Sequence, residues 1–184
     1  MSTRDVVFVA MFAALTAALG VVPPLTLSVT GVPITAQSLG PMLAGSVLGW
    51  KRAVASQAVF LALVAAGLPL LSGGRGGLGV LMGPSGGFLI GWIFVALVIG
   101  WTFERYWEAL NLASALGLVF LGGVIVEYAI GNAWVTAVTD LSYVEATIAS
   151  AVFLPGDILK VVAAGGIAMT VRRSYPLMPA TAHG

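Results

Sequence analysis

The chain has 184 residues, of which 59% are hydrophobic and 8% are charged, and its mean hydropathy is +1.05. This composition excludes a soluble globular domain and predicts an all-α integral membrane protein in a lipid bilayer. The net charge of +1 comes without a basic patch interleaved with aromatic residues, so we expect no nucleic-acid partner. There is no cysteine and only one histidine, His183 near the C-terminus, so we expect no disulfide and no metal site built from these residues in the helices.

The first apolar segment runs from Val6 to Val22. It resembles a signal peptide with Arg4 as its positive region, but five more apolar segments follow, so we predict a first membrane helix. Small residues recur along one stripe of this helix, at Ala10, Ala14 and Ala18. Such a stripe lets another helix approach closely. The residues alone leave open whether that helix belongs to the same bundle or to a partner subunit.

The other apolar segments complete a predicted bundle of six transmembrane helices. Polar, Gly-rich and Pro-rich connections separate them, and residues 174–184 form a polar tail that we expect to be disordered. We predict one domain over residues 1–173, in which the later helices cover residues 34–50, 53–70, 88–103, 110–131 and 144–171.

The connection before the fourth helix is rich in glycine. Eight of the residues 72–88 are glycine, which argues against a stable helix there. The run Leu78-Gly-Val-Leu-Met82 within it is nevertheless too apolar for a solvated linker. It favours a loop folded back onto the bundle, the alternative being a flexible connector.

An acid and a base lie in the last apolar segment, within Phe153-Leu-Pro-Gly-Asp-Ile-Leu-Lys160. Each costs about 2.5–3.5 kcal/mol at the centre of a membrane helix, so such residues normally face a protein interior or a water-filled cavity. Asp157 and Lys160 are three residues apart and can neutralise each other on one helix face. Pro155 removes a helix hydrogen bond, so we predict that the helix bends or opens one turn before Asp157. The pair indicates a ligand site or, alternatively, a structural clamp between helices. Glu127, which we expect near the membrane interface, is a weaker candidate.

Cationic residues are unevenly distributed between the two sides of the predicted bundle. If six helices alternate in direction, one side carries six Lys and Arg residues and the other side only Arg75. Because cytoplasmic loops carry an excess of Lys and Arg, we predict that both termini are cytoplasmic. The six residues of the cytoplasmic side are Arg4, Lys51, Arg52, Arg105, Arg172 and Arg173.

Two other functions fit parts of the sequence. Gly83-Pro84-Ser85-Gly86 is similar to the Gly-x-Ser-Gly of rhomboid-type intramembrane proteases, but their histidine base is missing, and Lys160 would have to replace it. An ion-coupled secondary carrier of a small organic anion would use Asp157 as proton acceptor and Lys160 as anion site. The chain has no Gly-x4-Gly-Lys-[Ser/Thr] motif, so transport needs an ion gradient or an energising partner.

Three separated motifs lie in order along the chain: Val32-Pro-Ile-Thr-Ala-Gln-Ser-Leu-Gly40, Gly76-Gly-Leu-Gly-Val-Leu-Met-Gly-Pro-Ser-Gly-Gly-Phe88 and Phe153-Leu-Pro-Gly-Asp-Ile-Leu-Lys160. They resemble the BioY family of biotin-binding S components of energy-coupling factor (ECF) transporters. The resemblance implies a six-helix bundle in a prokaryotic plasma membrane, with both termini inside, no enzymatic activity and no cofactor. It also implies that biotin binds from the outer side, and that a transmembrane T component and two ATP-binding-cassette ATPases supply the energy.

The same resemblance implies roles for individual residues. Asp157 and Lys160 match positions that contact biotin, whose ureido ring offers two N–H donors and a carbonyl acceptor. Ala14 and Ala18, with Ala10 as an extension, match the stripe that docks on the T component. The other expected contacts are a glycine wall that allows close approach and two polar residues near the mouth of the site: Gly79, Gly83, Gly86, Thr35 and Gln37.

Overall fold

The fold is a bundle of α-helices, seen in a computed structural model that describes residues 1–25 and 30–174. A π-helix, Leu121–Val126, joins α6 to α7, and a 3-10 turn, Ala151–Phe153, joins α8 to α9. The tail predicted beyond residue 174, with His183, lies outside the described residues. The α-helices are α1 (Thr3–Ala18), α2 (Leu39–Leu48), α3 (Trp50–Ala65), α4 (Leu78–Met82), α5 (Gly86–Arg105), α6 (Leu112–Phe120), α7 (Glu127–Val138), α8 (Tyr143–Ser150) and α9 (Leu154–Ser174).

Three helical stretches of the described chain are long and apolar enough to cross a membrane: Gly86–Arg105, Leu112–Val138 and Tyr143–Ser174. Helices α1, α2 and α3 are shorter than these stretches, with 16, 10 and 16 residues. At 1.5 Å per residue, a helix of 16 residues is about 24 Å long, and the hydrocarbon core of a bilayer is about 30 Å thick. The prediction of a helical, multi-pass membrane protein is confirmed.

Helix α5 lies at the centre of the bundle and packs against α2, α3 and α7. Small residues bring these helices close together, because Gly45 of α2 lies against Ile99 and Gly100 of α5 lies against the backbone of Trp50. The largest apolar core fills the space between α2, α5, α6 and α9, and it contains the fully buried Phe103. These contacts fix the positions of α5, α7 and α9, the helices that enclose the site described below.

The second predicted helix is shorter than expected. Helix α2 begins at Leu39 rather than at Ile34, because the backbone of Ile34 pairs with that of Leu25 through hydrogen bonds of 3.0 and 2.8 Å. Residues 34–38 therefore lie outside the helices. Irregular backbone of this kind is tolerated at membrane depth where it is buried in protein or lines a cavity. The prediction of a helix from Ile34 is wrong for these residues.

The fifth predicted helix is longer than expected. Helix α7 continues to Val138, so the loop predicted over residues 132–143 is reduced to residues 139–142. The predicted helix ends at residue 131, directly before the polar residue Asn132. Its side chain is instead satisfied inside the bundle, where its Oδ1 accepts a hydrogen bond from Ser150 Oγ at 2.7 Å. A polar residue with a buried partner therefore continues the helix.

The remaining predicted segments match the structure with smaller changes. The third helix ends at Ala65, and the glycine-rich stretch contains the short helix α4, which its glycine content argued against. The last segment is interrupted by the 3-10 turn directly before Leu154, which confirms the prediction from Pro155 that the helix opens before Asp157. That interruption shapes the site.

Candidate ligand-binding site

A cavity lies between α5, α7, α9 and the non-helical segment 32–38. About 540 Å³ between its lining residues is free of protein atoms, a figure that includes the open solvent at its mouth. Its wall combines apolar and aromatic side chains with a limited set of polar groups. The polar and charged residues that line it are Thr35, Gln37, Ser38, Arg75, Ser85, Glu127, Tyr128, Asp157 and Lys160.

Asp157 and Lys160 form a salt bridge in the cavity wall. Lys160 Nζ donates to Asp157 Oδ1 at 2.8 Å and to Ser38 Oγ at 2.9 Å. Tyr128 OH donates to Asp157 Oδ2 at 2.6 Å. Only 6% of the Asp157 side chain and 13% of the Lys160 side chain is exposed. The two residues predicted to neutralise each other are thus paired, and three elements contribute to their hydrogen bonds.

The break in the last membrane segment explains how the acid is accommodated. Helix α9 begins at Leu154, so Pro155 lies in its first turn, where a missing backbone N–H costs no helix hydrogen bond. The same turn carries Asp157, whose carboxylate meets the positive end of the helix dipole. The cavity therefore borders the start of a helix and not the centre of one.

A second acid, Glu127, also lies in the cavity wall. It is 5% exposed, and its Oε1 accepts a hydrogen bond from Trp92 Nε1 at 3.0 Å. The prediction that Glu127 lies near the membrane interface is wrong, because α7 continues beyond it to Val138. The π-helix Leu121–Val126 ends directly before Glu127, and such insertions are frequent at functional sites.

Aromatic rings form the apolar part of the wall. Phe88, Tyr128 and Phe153 pack edge to face in a cluster, with ring centroids 5.9 to 6.4 Å apart. Such arrangements of rings are favourable at centroid distances of about 4.5–7 Å. Trp92 lines the same cavity and packs against Phe60 at 5.9 Å. The cavity therefore offers a rigid apolar surface next to its charged pair.

The two polar residues predicted near the mouth, Thr35 and Gln37, both line the cavity. The Gln37 amide is fully used within the protein. Its Nε2 donates to the carbonyl oxygens of Thr16 and Leu70, each at 3.0 Å, and its Oε1 accepts from Ser72 N and Oγ at 2.8 and 3.1 Å. Gln37 therefore ties the end of α1 to the loop before α4, and a direct contact between Gln37 and a ligand stays a prediction.

The three glycines predicted to form the wall are not among the residues that line the cavity. At Gly86, a Cβ atom would overlap the carbonyl group of Leu81, and the Gly83 carbonyl accepts a hydrogen bond from Trp134 Nε1 at 3.0 Å. At Gly79, a Cβ atom would meet no neighbour within 4 Å. The close approach that glycine allows at Gly86 is therefore between parts of the chain itself. Direct contact of these glycines with a ligand stays a prediction.

Arg75 lines the cavity from the loop before α4, whereas the sequence indicated only which side of the membrane it occupies. Its Nε donates to the carbonyl oxygen of Ser72 at 3.2 Å. Partial burial lowers the pKa of the Arg75 guanidinium from its ordinary value, although an arginine remains charged at neutral pH. An isolated cation on a side with no other Lys or Arg was the signal that could have marked it as a site residue.

Ser85 also lines the cavity, but its surroundings do not match those of a serine hydrolase. Lys160 Nζ is bonded to Asp157 and Ser38, and in the described part of the chain no base is hydrogen-bonded to Ser85. Nor do residues 1–25 and 30–174 bring together three or more His, Asp or Glu side chains that could hold a metal ion. The groups present can bind a polar ligand through charge and hydrogen bonds.

The small-residue stripe of α1 lies on the surface of the bundle. Ala10, Ala14 and Ala18 are exposed, whereas Val9 and Ala13 on the other face are buried. The packing of the described chain therefore does not use the stripe, which is free to meet lipid or another protein.

The chain is similar to proteins of one known family. A sequence model of the BioY family matches residues 1–177. The chain belongs to the BioY family. Two of its relatives are the biotin transporters BioY of Rhizobium etli, 46% identical over 99% of this chain and 100% of the relative, and of Rhodobacter capsulatus, 46% identical over 94% and 95%.

The fold of a solved structure agrees with membership of the BioY family. A crystal structure of the S-component for biotin from an ECF-type ABC transporter superposes with a TM-score of 0.89 at 32% identity, covering 94% of this chain and 95% of that one. These matches confirm the resemblance seen in the three motifs. They also identify this BioY-family chain as a transporter component and not an enzyme.

Proposed function

We propose that the chain captures biotin in the cavity beside Asp157 and Lys160 and acts as the S component of an ECF-type biotin uptake system. One observation carries the proposal: a buried acid–base pair lies in the wall of an aromatic-lined cavity in a BioY-family chain. The relatives named biotin transporters and the solved biotin S-component support the same ligand. The ion-coupled carrier considered above has no such support.

The chemistry of biotin fits the groups in this cavity. Its ureido ring has N–H donors for the Asp157 carboxylate and a carbonyl oxygen for the Lys160 ammonium. The apolar bicycle would pack on the cluster of Phe88 and Phe153. Arg75, in the loop, would meet the carboxylate of the valerate chain. The salt bridge between Asp157 and Lys160 already holds both side chains in the cavity wall, so biotin would meet partners that are in position.

Among the predicted site residues, we assign two different roles. Thr35 lines the cavity and would contact biotin, while Gln37 would hold the wall in place through its four hydrogen bonds within the protein. Gly79, Gly83 and Gly86 would shape the loop that covers the site, with residues 1–173 acting as one domain.

We also propose six membrane crossings with both termini in the cytoplasm of a prokaryote. Three contacts join the cationic segments at one end of the bundle. They support this orientation because cytoplasmic segments carry an excess of Lys and Arg. Arg52 Nε pairs with Asp5 Oδ1 at 2.7 Å, Trp50 N donates to Glu104 Oε1 at 3.1 Å, and an Arg172 Nη donates to the Leu110 carbonyl at 2.6 Å. Arg75 lies in the loop that follows α3 at its other end.

Energy for uptake would come from a T component and two ATP-binding-cassette ATPases. The exposed stripe of Ala10, Ala14 and Ala18 is a suitable surface for the T component, because small side chains allow a helix to approach closely.

Titration calorimetry of the detergent-solubilised protein with biotin tests the proposal. We expect the parent to bind, and Asp157→Asn and Lys160→Ala each to raise the dissociation constant by about 10- to 150-fold, the range for hydrogen bonds to charged groups. A folded parent that does not bind biotin would refute the assignment. Unchanged affinity in both folded variants would place biotin elsewhere.

A further inference from the structure

One carboxyl group in the cavity has an oxygen without a hydrogen-bond partner. Glu127 Oε1 accepts from Trp92, whereas Glu127 Oε2 is buried and has no hydrogen-bond partner. In the described residues, the other buried side-chain atom without a partner is Gln57 Oε1, and Gln57 does not line the cavity. Buried polar atoms nearly always have partners, so an unpaired carboxylate oxygen in a cavity wall calls for an explanation.

The second carboxylate in the cavity differs from Glu127 in this respect. Asp157 Oδ1 already accepts from Lys160, and Asp157 Oδ2 accepts from Tyr128. Glu127 receives one hydrogen bond, from an uncharged indole. Burying a carboxyl oxygen without a partner is unfavourable, because the oxygen loses its hydrogen bonds to water and the protein does not replace them. A ligand with an N–H donor would supply the missing partner.

The backbone places Glu127 at the cavity by a specific device. The π-helix Leu121–Val126 ends immediately before Glu127, and both Glu127 and Tyr128 line the cavity. Tyr128 contacts Asp157 directly, so the residue beside Glu127 already belongs to the site. A π-helix is less regular than an α-helix and is commonly retained where it serves a function.

We propose that Glu127 is a ligand-contacting residue whose Oε2 accepts an N–H of the ureido ring of biotin. This inference rests on the function proposed above and adds a specificity-determining residue to it. The ureido ring has two N–H donors and one carbonyl acceptor. The cavity has two carboxylates, Glu127 and Asp157, and one ammonium, Lys160. Each polar group of the ring then has one partner among these three side chains, and the pocket discriminates against rings that lack either N–H.

The test uses biotin and two cyclic carbamate analogues, in each of which one ring N–H of the ureido group is replaced by oxygen. These analogues keep the shape of biotin but remove one donor. Dissociation constants are measured for the parent, for Glu127→Gln and for Glu127→Leu. The matched control is Gln57→Leu, because Gln57 is the comparable buried residue with an unpaired oxygen outside the cavity.

In Glu127→Gln the amide oxygen can keep the bond from Trp92 while its N–H₂ points at the ligand as a donor. We expect biotin to bind about 10- to 100-fold more weakly to Glu127→Gln and Glu127→Leu, and with parent affinity to Gln57→Leu. The parent should reject both carbamate analogues by a similar factor. Glu127→Gln should bind the analogue that lacks the N–H facing Glu127 as well as or better than biotin. Glu127→Gln preserves the shape of the side chain, so the test remains available if Glu127→Leu does not fold.

Two results would overturn the inference. The first is that Glu127→Gln binds biotin with the parent's affinity. The second is that Glu127→Gln prefers biotin over each analogue by the same factor as the parent does, which is expected if Glu127 serves only as a structural partner of Trp92. In either case, binding of biotin by the parent and its weakening in Asp157→Asn would leave the proposed function intact. A folded parent that does not bind biotin would instead overturn both.

Discussion

Replacing Lys160 with methionine tests whether the charged pair both stabilises the protein and binds the ligand. Methionine is an uncharged side chain of similar length, so the variant leaves Asp157 with the Tyr128 hydroxyl as its donor. The lost contacts are those from Lys160 Nζ to Asp157 at 2.8 Å and to Ser38 at 2.9 Å. The change therefore removes the positive charge from a largely buried pair.

The magnitude follows from the geometry. At 2.8 Å and an effective dielectric constant of about 20, the Coulomb attraction is about 6 kcal/mol. Desolvation of the two ions offsets several kcal/mol of this, so removing both charges has a small effect on stability. Removing one charge leaves the other buried, which costs about 3–5 kcal/mol. At about 2–4 °C per kcal/mol for a chain of this size, we expect Lys160→Met to lower the Tm by about 6–20 °C.

Intrinsic tryptophan fluorescence during heating is the suitable assay, because the chain has five tryptophans and no cysteine for a thiol-reactive dye. The double variant Asp157→Asn/Lys160→Met should recover most of the lost Tm, and neither variant should bind biotin tightly. Lys51→Met is the matched control: Lys51 is exposed on α3, and its loss should change stability by less than about 0.5 kcal/mol. If Lys160→Met melts like the parent, the pair is not coupled and the reasoning fails. Recovery of biotin binding in the double variant would show that the pair is only a clamp.

Two further predictions concern packing surfaces. Ala14→Trp should abolish biotin uptake by the complete transporter but leave biotin binding by the isolated chain unchanged. The control is Ile148→Trp, at an exposed position on α8. Loss of biotin binding in Ala14→Trp would show that the stripe supports the fold. Gly100→Ala should destabilise the bundle by about 1–3 kcal/mol, because the new Cβ would overlap the backbone of Trp50. Gly117→Ala, where a Cβ meets nothing within 4 Å, should leave the Tm unchanged or raise it, and equal losses at both glycines would contradict the packing argument.

The charged pair was recognisable in the sequence because ionisable residues are rare and costly in a membrane segment. Their spacing placed Asp157 and Lys160 on one helix face, and Pro155 predicted the interruption before them. Both expectations are confirmed by local geometry alone: the salt bridge joins residues three apart, and the 3-10 turn lies directly before α9. The motifs around these residues also indicated the family.

The partners of the pair could not be read from the sequence in the same way. Ser38 binds Lys160 across 122 residues of chain, and Tyr128 binds Asp157 across 29. Glu127 was predicted at the interface because the helix was expected to end near Asn132. Asn132 instead finds Ser150 as a partner inside the bundle, which allows α7 to continue.

Hydropathy and spacing were sufficient to establish a helical membrane protein with an acid and a base in its last membrane segment, and the motifs were sufficient for the BioY family. These are properties of single segments, so they can be read without knowledge of the neighbours. Tertiary packing was needed to show that residues 34–38 leave the helix to line a cavity, that Gln37 is fully bonded within the protein, and that Glu127 has an unpaired oxygen there. Those features depend on which helix faces meet, and that is fixed by contacts between segments distant in the chain.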